Sequence, residues 1–368
     1  MKTSNGLTPS SAKPSSQAGK TFLEELRLPQ AGTTIMENST ANSSLGSNTC
    51  ETRVTGIVVA FNGRKWIDKC LSSLLTNRYL QGVIVVDNGS SDGTCEAAKH
   101  HGNRVRVQQI GRNLGFGQAN NIGIQQALAA DASHVFLLNQ DAWIEPNGID
   151  RLMECFEPGA EWGILCPLQL TGDGKKLDRF SFGCLPEALV SDLCLGNTLA
   201  KAYPVTFLNA AAWLVSRDAI EATGGFDPLF SMYGEDDDYV RRLSRENFKI
   251  GLCPGIRVFH DRAYRVPTRC EARNRAQALA TMHLKYSERP LPISAPLFLI
   301  QGIRRMVRKA FEFSWPEVLL QYLIMARALG MLSQIQRSRR DLQSRARGVK
   351  NNNIPRANDR SAVALTAD

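Results

Sequence analysis

The chain has 368 residues, 43% of them hydrophobic and 21% charged, with a formal net charge of +9. That is enough for one large or two ordinary domains with a real core. Residues 51–261 carry 20 basic and 25 acidic side chains and are net −5, whereas 262–350 carry 18 and 5 and are net +13. A charge divided in this way excludes a uniformly basic nucleic-acid binder, and the arginines lack the aromatic interleaving of a single-strand groove, so no nucleic-acid partner is expected.

Residues 1–50 are rich in Ser, Thr and Asn and read as a disordered leader, since they offer little apolar area to offset chain entropy. The opening MKTSNGLTPSSAKPSS lacks the apolar stretch of a signal peptide, and no run reaches the ~18 uninterrupted apolar residues of a spanning helix. Nine cysteines without a C-x-x-C pair read as reduced, buried thiols. A cytoplasmic protein is expected.

From Val54 apolar strands alternate with amphipathic helices, the signal of a parallel sheet covered by helices. Strands are predicted at 54–61, 82–88, RVRVQQI and 134–139, and helices at 66–75, from SSDGT to about residue 101, and from about Phe116 to Ala130. Beyond Asp141 come a strand at WGILCP, an irregular Gly-rich stretch over about 171–203, a strand near YPVTFLNA and a helix at SRDAIEATGG. A helix opens at EDDDYVRRLSREN, with four acids at its positive end, and two short strands, KIGLCP and IRVFH, come after it. Residues 263–350 read as a basic helical extension, and 351–368 as a disordered tail. In 299–312, Leu299, Ile303, Met306, Val307 and Ala310 project to one side, and Arg304, Arg305, Arg308 and Lys309 to the other. Such a helix suits either an anionic membrane surface or packing on the protein or a second subunit.

In open sheets of this kind ligands sit at the carboxyl ends of the strands. Three acidic features fall there or at a helix start: Asp87 in VVDNGSSDGT, Asp141 in LLNQDAW, and the run Glu235-Asp236-Asp237-Asp238. Carboxylates gathered in this way favour a site that holds a cation or a donor-rich ligand. Singly, each has a structural explanation as well: Asp87 as a turn and helix cap, the acidic run as a complement to the helix dipole.

In order and spacing, VVAFNG, VVDNGSSDGT, GRNLGFGQANNIGI, LLNQDAWI, GGFDPLFSMYGEDDDYVRRL and PGIRVFH resemble the catalytic domain of the inverting family 2 glycosyltransferases, and of their rhamnosyltransferase-like branch in particular. The resemblance implies an α/β GT-A fold, Rossmann-like with a mostly parallel central sheet, over 51–262, ahead of the C-terminal helices. It implies transfer of a sugar from a nucleoside-diphosphate-sugar, dTDP-rhamnose or a UDP-sugar, to a hydroxyl of a glycan or lipid-linked saccharide acceptor in surface polysaccharide synthesis.

Residue by residue, the same resemblance lays the nucleotide over Ala60, Phe61, Asn62 and Asp87, under the loop of Asn113 and Gly115, with Asn139 either at the ribose or as a neutral contact to the metal. Asp141 and His260 become the ligands of Mg2+ or Mn2+, with one carboxylate fewer than the family's acidic motif because Asn139 takes its first place. Asp236 becomes the base, with Glu235 and Asp238 beside the acceptor. Asn209 borders the acceptor cavity, and Trp213 either carries a sugar face or packs in the core. Peripheral contact with the inner face of the membrane through 299–335 and a homo-oligomer belong to the same set of expectations. The competing readings are a sugar-nucleotide nucleotidyltransferase, disfavoured because Ala60-Phe61-Asn62-Gly63 offers little to hold a triphosphate, and an inactive nucleotide-sugar-binding scaffold.

Overall fold

The computed structural model of the protein describes residues 53–156, 161–262, 268–312 and 314–346, so the expected leader and tail lie outside the described residues. Strand and helix alternate through β1 (Val54–Ala60), α1 (Ile67–Leu74), β2 (Leu80–Asp87), α2 (Thr94–Lys99), β3 (Val105–Gln109), α3 (Phe116–Ala129) and β4 (His134–Leu138). These strands pair in parallel in the order β3-β2-β1-β4. Their Val- and Ile-rich runs are buried on both faces: Ile57, Ile84 and Val86 enter one core, and Val58, Val83 and Val85 the other.

The second half adds β5 (Ala142–Ile144), α4 (Gly148–Met153), β6 (Trp162–Thr171), α5 (Arg179–Phe182), α6 (Glu187–Leu195), β7 (Tyr203–Val205), β8 (Ala212–Ser216), α7 (Arg217–Thr223), α8 (Glu235–Arg245) and β9 (Lys249–His260). Strand β8 runs antiparallel to β4 and β6, β6 runs parallel to β9, and β5 and β7 lie antiparallel to β9. The nine-stranded sheet is thus parallel at one end and mixed at the other.

Two details depart from the sequence-based expectation. KIGLCP and IRVFH are one strand, β9, which absorbs Pro254-Gly255 as a register irregularity opposite Pro167/Leu168. The stretch 171–203 contains two short helices: Asp178 caps α5 by accepting from Phe180 N–H, and Gly196, at φ 69°, ends α6.

Four helices complete the described residues: α9 (Arg269–Lys285), α10 (Leu291–Phe311), α11 (Trp315–Gly330) and α12 (Leu332–Ala346). Thr268 and Glu271 form a reciprocal capping box at the start of α9. A third core, built from Leu284, Phe298, Ile324, Ala328 and Ile335, includes Leu229 and Phe230 from the segment before α8, so the extension packs on the sheet-bearing part. Leu299 and Met306 pack against this core, whereas Ile303 and Val307 face solvent. Among the described residues no single helix is long and apolar enough to cross a membrane, and α11 with α12 passes that test only as a pair bent by 59°.

Candidate active site

The site is assembled where β1, β2 and β4 end. After β1, Phe61 is exposed and Asn62 takes a left-handed φ of 49°, with its side-chain oxygen accepting from Ser91 N–H at 2.9 Å. The Gln140 amide grips Phe61 from both sides: Oε1 accepts from Phe61 N–H at 2.9 Å and Nε2 donates to Phe61 C=O at 3.0 Å. Gly63 is required beneath this clamp, because a Cβ there would overlap the Gln140 amide. Gln140 is invisible as a functional position in the sequence, since its partner lies 79 residues away.

Asp87 ends β2 opposite Ala60, both buried, and its carboxylate accepts from Ser90 N–H at 3.3 Å. The neighbouring Asn88, which no sequence signal singles out, donates to Asn113 Oδ1 at 2.9 Å and accepts from Leu114 N–H at 2.8 Å. Asn113 Oδ1 also accepts from Gly115 N–H at 2.8 Å, so this oxygen shapes the loop. Gly115, at φ 82°, lets Ser231 C=O approach where a Cβ would collide, which seats the 113–115 loop on the segment leading to α8.

After β4, Asn139 N–H donates to Ala211 C=O at 2.9 Å, and Asp141 comes next but one with a partly exposed carboxylate. His260, at the end of β9, is brought opposite Ala142 by the β5–β9 ladder. Its Nε2 lies 3.3 Å from Asp141 Oδ1, and its buried Nδ1 has no hydrogen-bond partner. Asp141 Oδ1 and His260 Nε2 face each other as an oxygen and a nitrogen donor, a pair that a divalent cation with its other ligands from diphosphate and water would fit. Among the described residues no third His, Cys, Asp or Glu joins them.

The acidic run opens α8, after Tyr233 and Gly234 turn the chain with φ of 68° and 83°. Glu235 is buried with Oε2 unpartnered, and its carboxyl is pushed up to about 7 by burial and then by the charge of Asp236. Asp236 is also raised, chiefly by burial, although its carboxylate accepts from Asp237 N–H at 2.9 Å and the Ala210 backbone N–H lies near enough to favour the ionised form. The 209–211 turn thus neighbours Asp236 through Ala210 and receives Asn139 N–H at Ala211 C=O. Asn209 Nδ2 is buried there without a partner, as a donor lacking an acceptor.

Trp213, expected either at a sugar face or in the core, takes the core, and Asp238, expected beside the acceptor, is buried. Trp213 on β8 is fully buried and stacks on Phe226 at 6.2 Å between ring centroids, so it packs in the core and offers no sugar platform. Asp238 is fully buried as well: it pairs with Arg242 at 2.8 Å and with Lys285, and it accepts from Tyr286 O–H at 2.7 Å. An unsolvated carboxylate needs this compensation, which leaves it no face toward an acceptor. Lys285, wholly buried, also pairs with Asp227 at 2.7 Å and so joins α9 to the GGFD segment and to α8.

The sheet, the strand-end carboxylates and the acid-headed α8 define an α/β domain with its polar groups gathered at the strand ends, and comparison with known proteins gives the class and the family. The model of the family described as glycosyl transferase family 2 matches residues 55–223. An N-acetylglucosaminyl-diphospho-decaprenol L-rhamnosyltransferase of Mycobacterium tuberculosis is 30% identical over 233 residues, covering 56% of this chain and 76% of that protein. The low-salt glycan biosynthesis hexosyltransferase Agl10 of Haloferax volcanii is 25% identical, covering 64% and 80%. Among solved structures, the mannosyltransferase PcManGT of Pyrobaculum calidifontis in complex with GDP-Man and Mn2+ aligns with a TM-score of 0.46 at 20% identity, over 82% of this chain and 88% of that one. The chain belongs to glycosyl transferase family 2, with a GT-A catalytic region ahead of a helical extension.

Proposed function

We propose that the protein is an inverting, cation-assisted glycosyltransferase that moves a sugar, rhamnose from dTDP-rhamnose or a hexose from a UDP-sugar, onto a hydroxyl of a lipid-linked saccharide. The 209–211 turn carries this reading, because it receives Asn139 N–H at Ala211 C=O and brings the Ala210 N–H beside the Asp236 carboxylate. The similarity to an enzyme named for a diphospho-decaprenol acceptor supports the choice of acceptor.

In this scheme Phe61, Asn62 and Asp87 cradle the nucleoside, with Asn113 and Gly115 shaping the loop above it and Asn139 close to the ribose. Asp141 and His260 would hold Mg2+ or Mn2+, which neutralises the departing diphosphate when bound. Asp236 accepts the acceptor hydroxyl's proton as the new bond forms on the face opposite the leaving group. Burial keeps its carboxylate basic enough for that task. Glu235 and the unpartnered Asn209 amide position the acceptor. A chain that builds on a lipid-linked acceptor works at a bilayer, so peripheral membrane contact through 299–335 belongs to the same proposal.

The test is Asp236→Asn, assayed for transfer and, by titration calorimetry, for binding of dTDP-rhamnose and UDP-sugars with Mg2+ or Mn2+. Turnover should fall by roughly 10²–10⁴-fold with donor affinity retained, the share expected of a positioned general base. Wild-type turnover in this variant would overturn the assignment.

A further inference from the structure

Helices α10 and α11 pack side by side, and their inner faces are already committed: Phe298 and Gly302 of α10 meet Ile324, Met325 and Ala328 of α11 in and around the third core. Each helix nonetheless turns a second apolar stripe outward. On α10, Ile300, Ile303, Val307 and Phe311 recur every three to four residues, and Phe311 is 80% exposed. On α11, Trp315, 63% exposed, heads a stripe continued by Leu319 and Tyr322. Most of the exposed large apolar side chains of the described residues lie on this hairpin. Burying none of them is costly in water, so the face calls for an occupant.

The charges around it say which. Arg304, Arg305 and Arg308 flank the α10 stripe and are exposed. Lys309 pairs with both nearby acids, Glu312 at 2.9 Å and Glu317 at 2.8 Å, Arg308 reaches Glu312 at 3.9 Å, and among the described residues no carboxylate lies within ion-pair distance of Arg304 or Arg305. A second copy of the chain docked on this face would bring like-charged arginines together. An anionic lipid surface instead supplies phosphates at the rim and acyl chains beneath Phe311, while Trp315 and Tyr322 suit the interfacial layer. The wider distribution agrees, since net +13 lies in the extension and net −5 in the catalytic region, so an anionic surface attracts one end and repels the other.

We infer that the outer face of the α10–α11 hairpin docks flat on an anionic bilayer. The inference rests on the proposed lipid-linked acceptor only for its purpose. A cleft lined by Met232 and Tyr233, just before Glu235, and by Arg327 and Met331 connects the base-bearing segment with α11.

The experiment is co-sedimentation of the full chain with vesicles of phosphatidylcholine alone and of phosphatidylcholine mixed with phosphatidylglycerol. The wild type should bind the mixed vesicles far more tightly. Arg304→Gln/Arg305→Gln/Arg308→Gln should lose roughly 100-fold of that affinity, from about 1 kcal/mol per arginine near the surface. Phe311→Ser/Trp315→Ser should weaken binding further while the melting temperature stays at the wild-type value. Absence of vesicle binding, or equal binding to both vesicle types, would overturn the inference. So would a dimer in sedimentation velocity that Phe311→Ser/Trp315→Ser dissolves, which would give the face to a second copy. Asp236→Asn should bind vesicles as the wild type does, so a failure of the catalytic reading is told apart from a failure of the docking surface.

Discussion

Glu235 carries the plainest electrostatic consequence at the scale of single residues. Its carboxyl titrates near 7 in the folded chain against an ordinary 4.5, so the folded state holds a proton that the unfolded state has released. A carboxyl raised in this way favours the fold fully below about pH 4.5, and that contribution is lost as pH rises through 7. The shift corresponds to on the order of 3 kcal/mol, at 1.36 kcal/mol per pH unit. Glu235→Gln should therefore match the wild type near pH 5 and exceed it at pH 8 by an amount approaching that figure, as read by urea unfolding at the two pH values. Parallel pH profiles would show that Glu235 finds solvation the folded geometry does not provide.

Buried charge governs the elements in the same way, through the node of Asp238, Arg242, Lys285 and Asp227 that fastens α9 to α8. Lys285→Met leaves two carboxylates facing a single guanidinium and should cost about 3–5 kcal/mol, the penalty for breaking a buried pair from one side. Lys285→Met combined with Asp238→Leu should recover part of it, and a double-mutant cycle from thermal melts would measure the coupling. Strict additivity would mean that the pair is not coupled. This node also marks where sequence reading ends. Periodicity exposes β1 to β4 and the helices between them, because a run such as Ile-Val-Val fills both faces of a sheet. The motifs single out Asp141, His260 and Asp236 as candidates, and the fold then brings Asp141 and His260 within 3.3 Å of each other. Three-residue β5 is too short for a period to show, and Pro254-Gly255 looks like the end of a strand that continues through it. Gln140 and Lys285 depend on partners 79 and 47 residues away, and Trp213 can be sorted between core and ligand only by its neighbours in space.

At the scale of the whole molecule, the three apolar cores and the buried charges make the catalytic region depend on the C-terminal helices. Leu229 and Phe230 belong to the extension's core, and Asp227 and Asp238 are neutralised by its lysine. A chain ending at residue 262 should therefore be poorly soluble and should bind a hydrophobic dye, whereas the full chain should not. A soluble, cooperatively melting fragment would refute this dependence. Synthesis runs from the N-terminus, and the parallel sheet through β4 is complete long before its last counter-charge is made. Until Lys285 has left the ribosome, Asp227 and Asp238 share Arg242 alone, beside apolar surface that α9 to α12 later cover. Chains stalled short of Lys285 should therefore be cut readily by protease where those released beyond α12 resist.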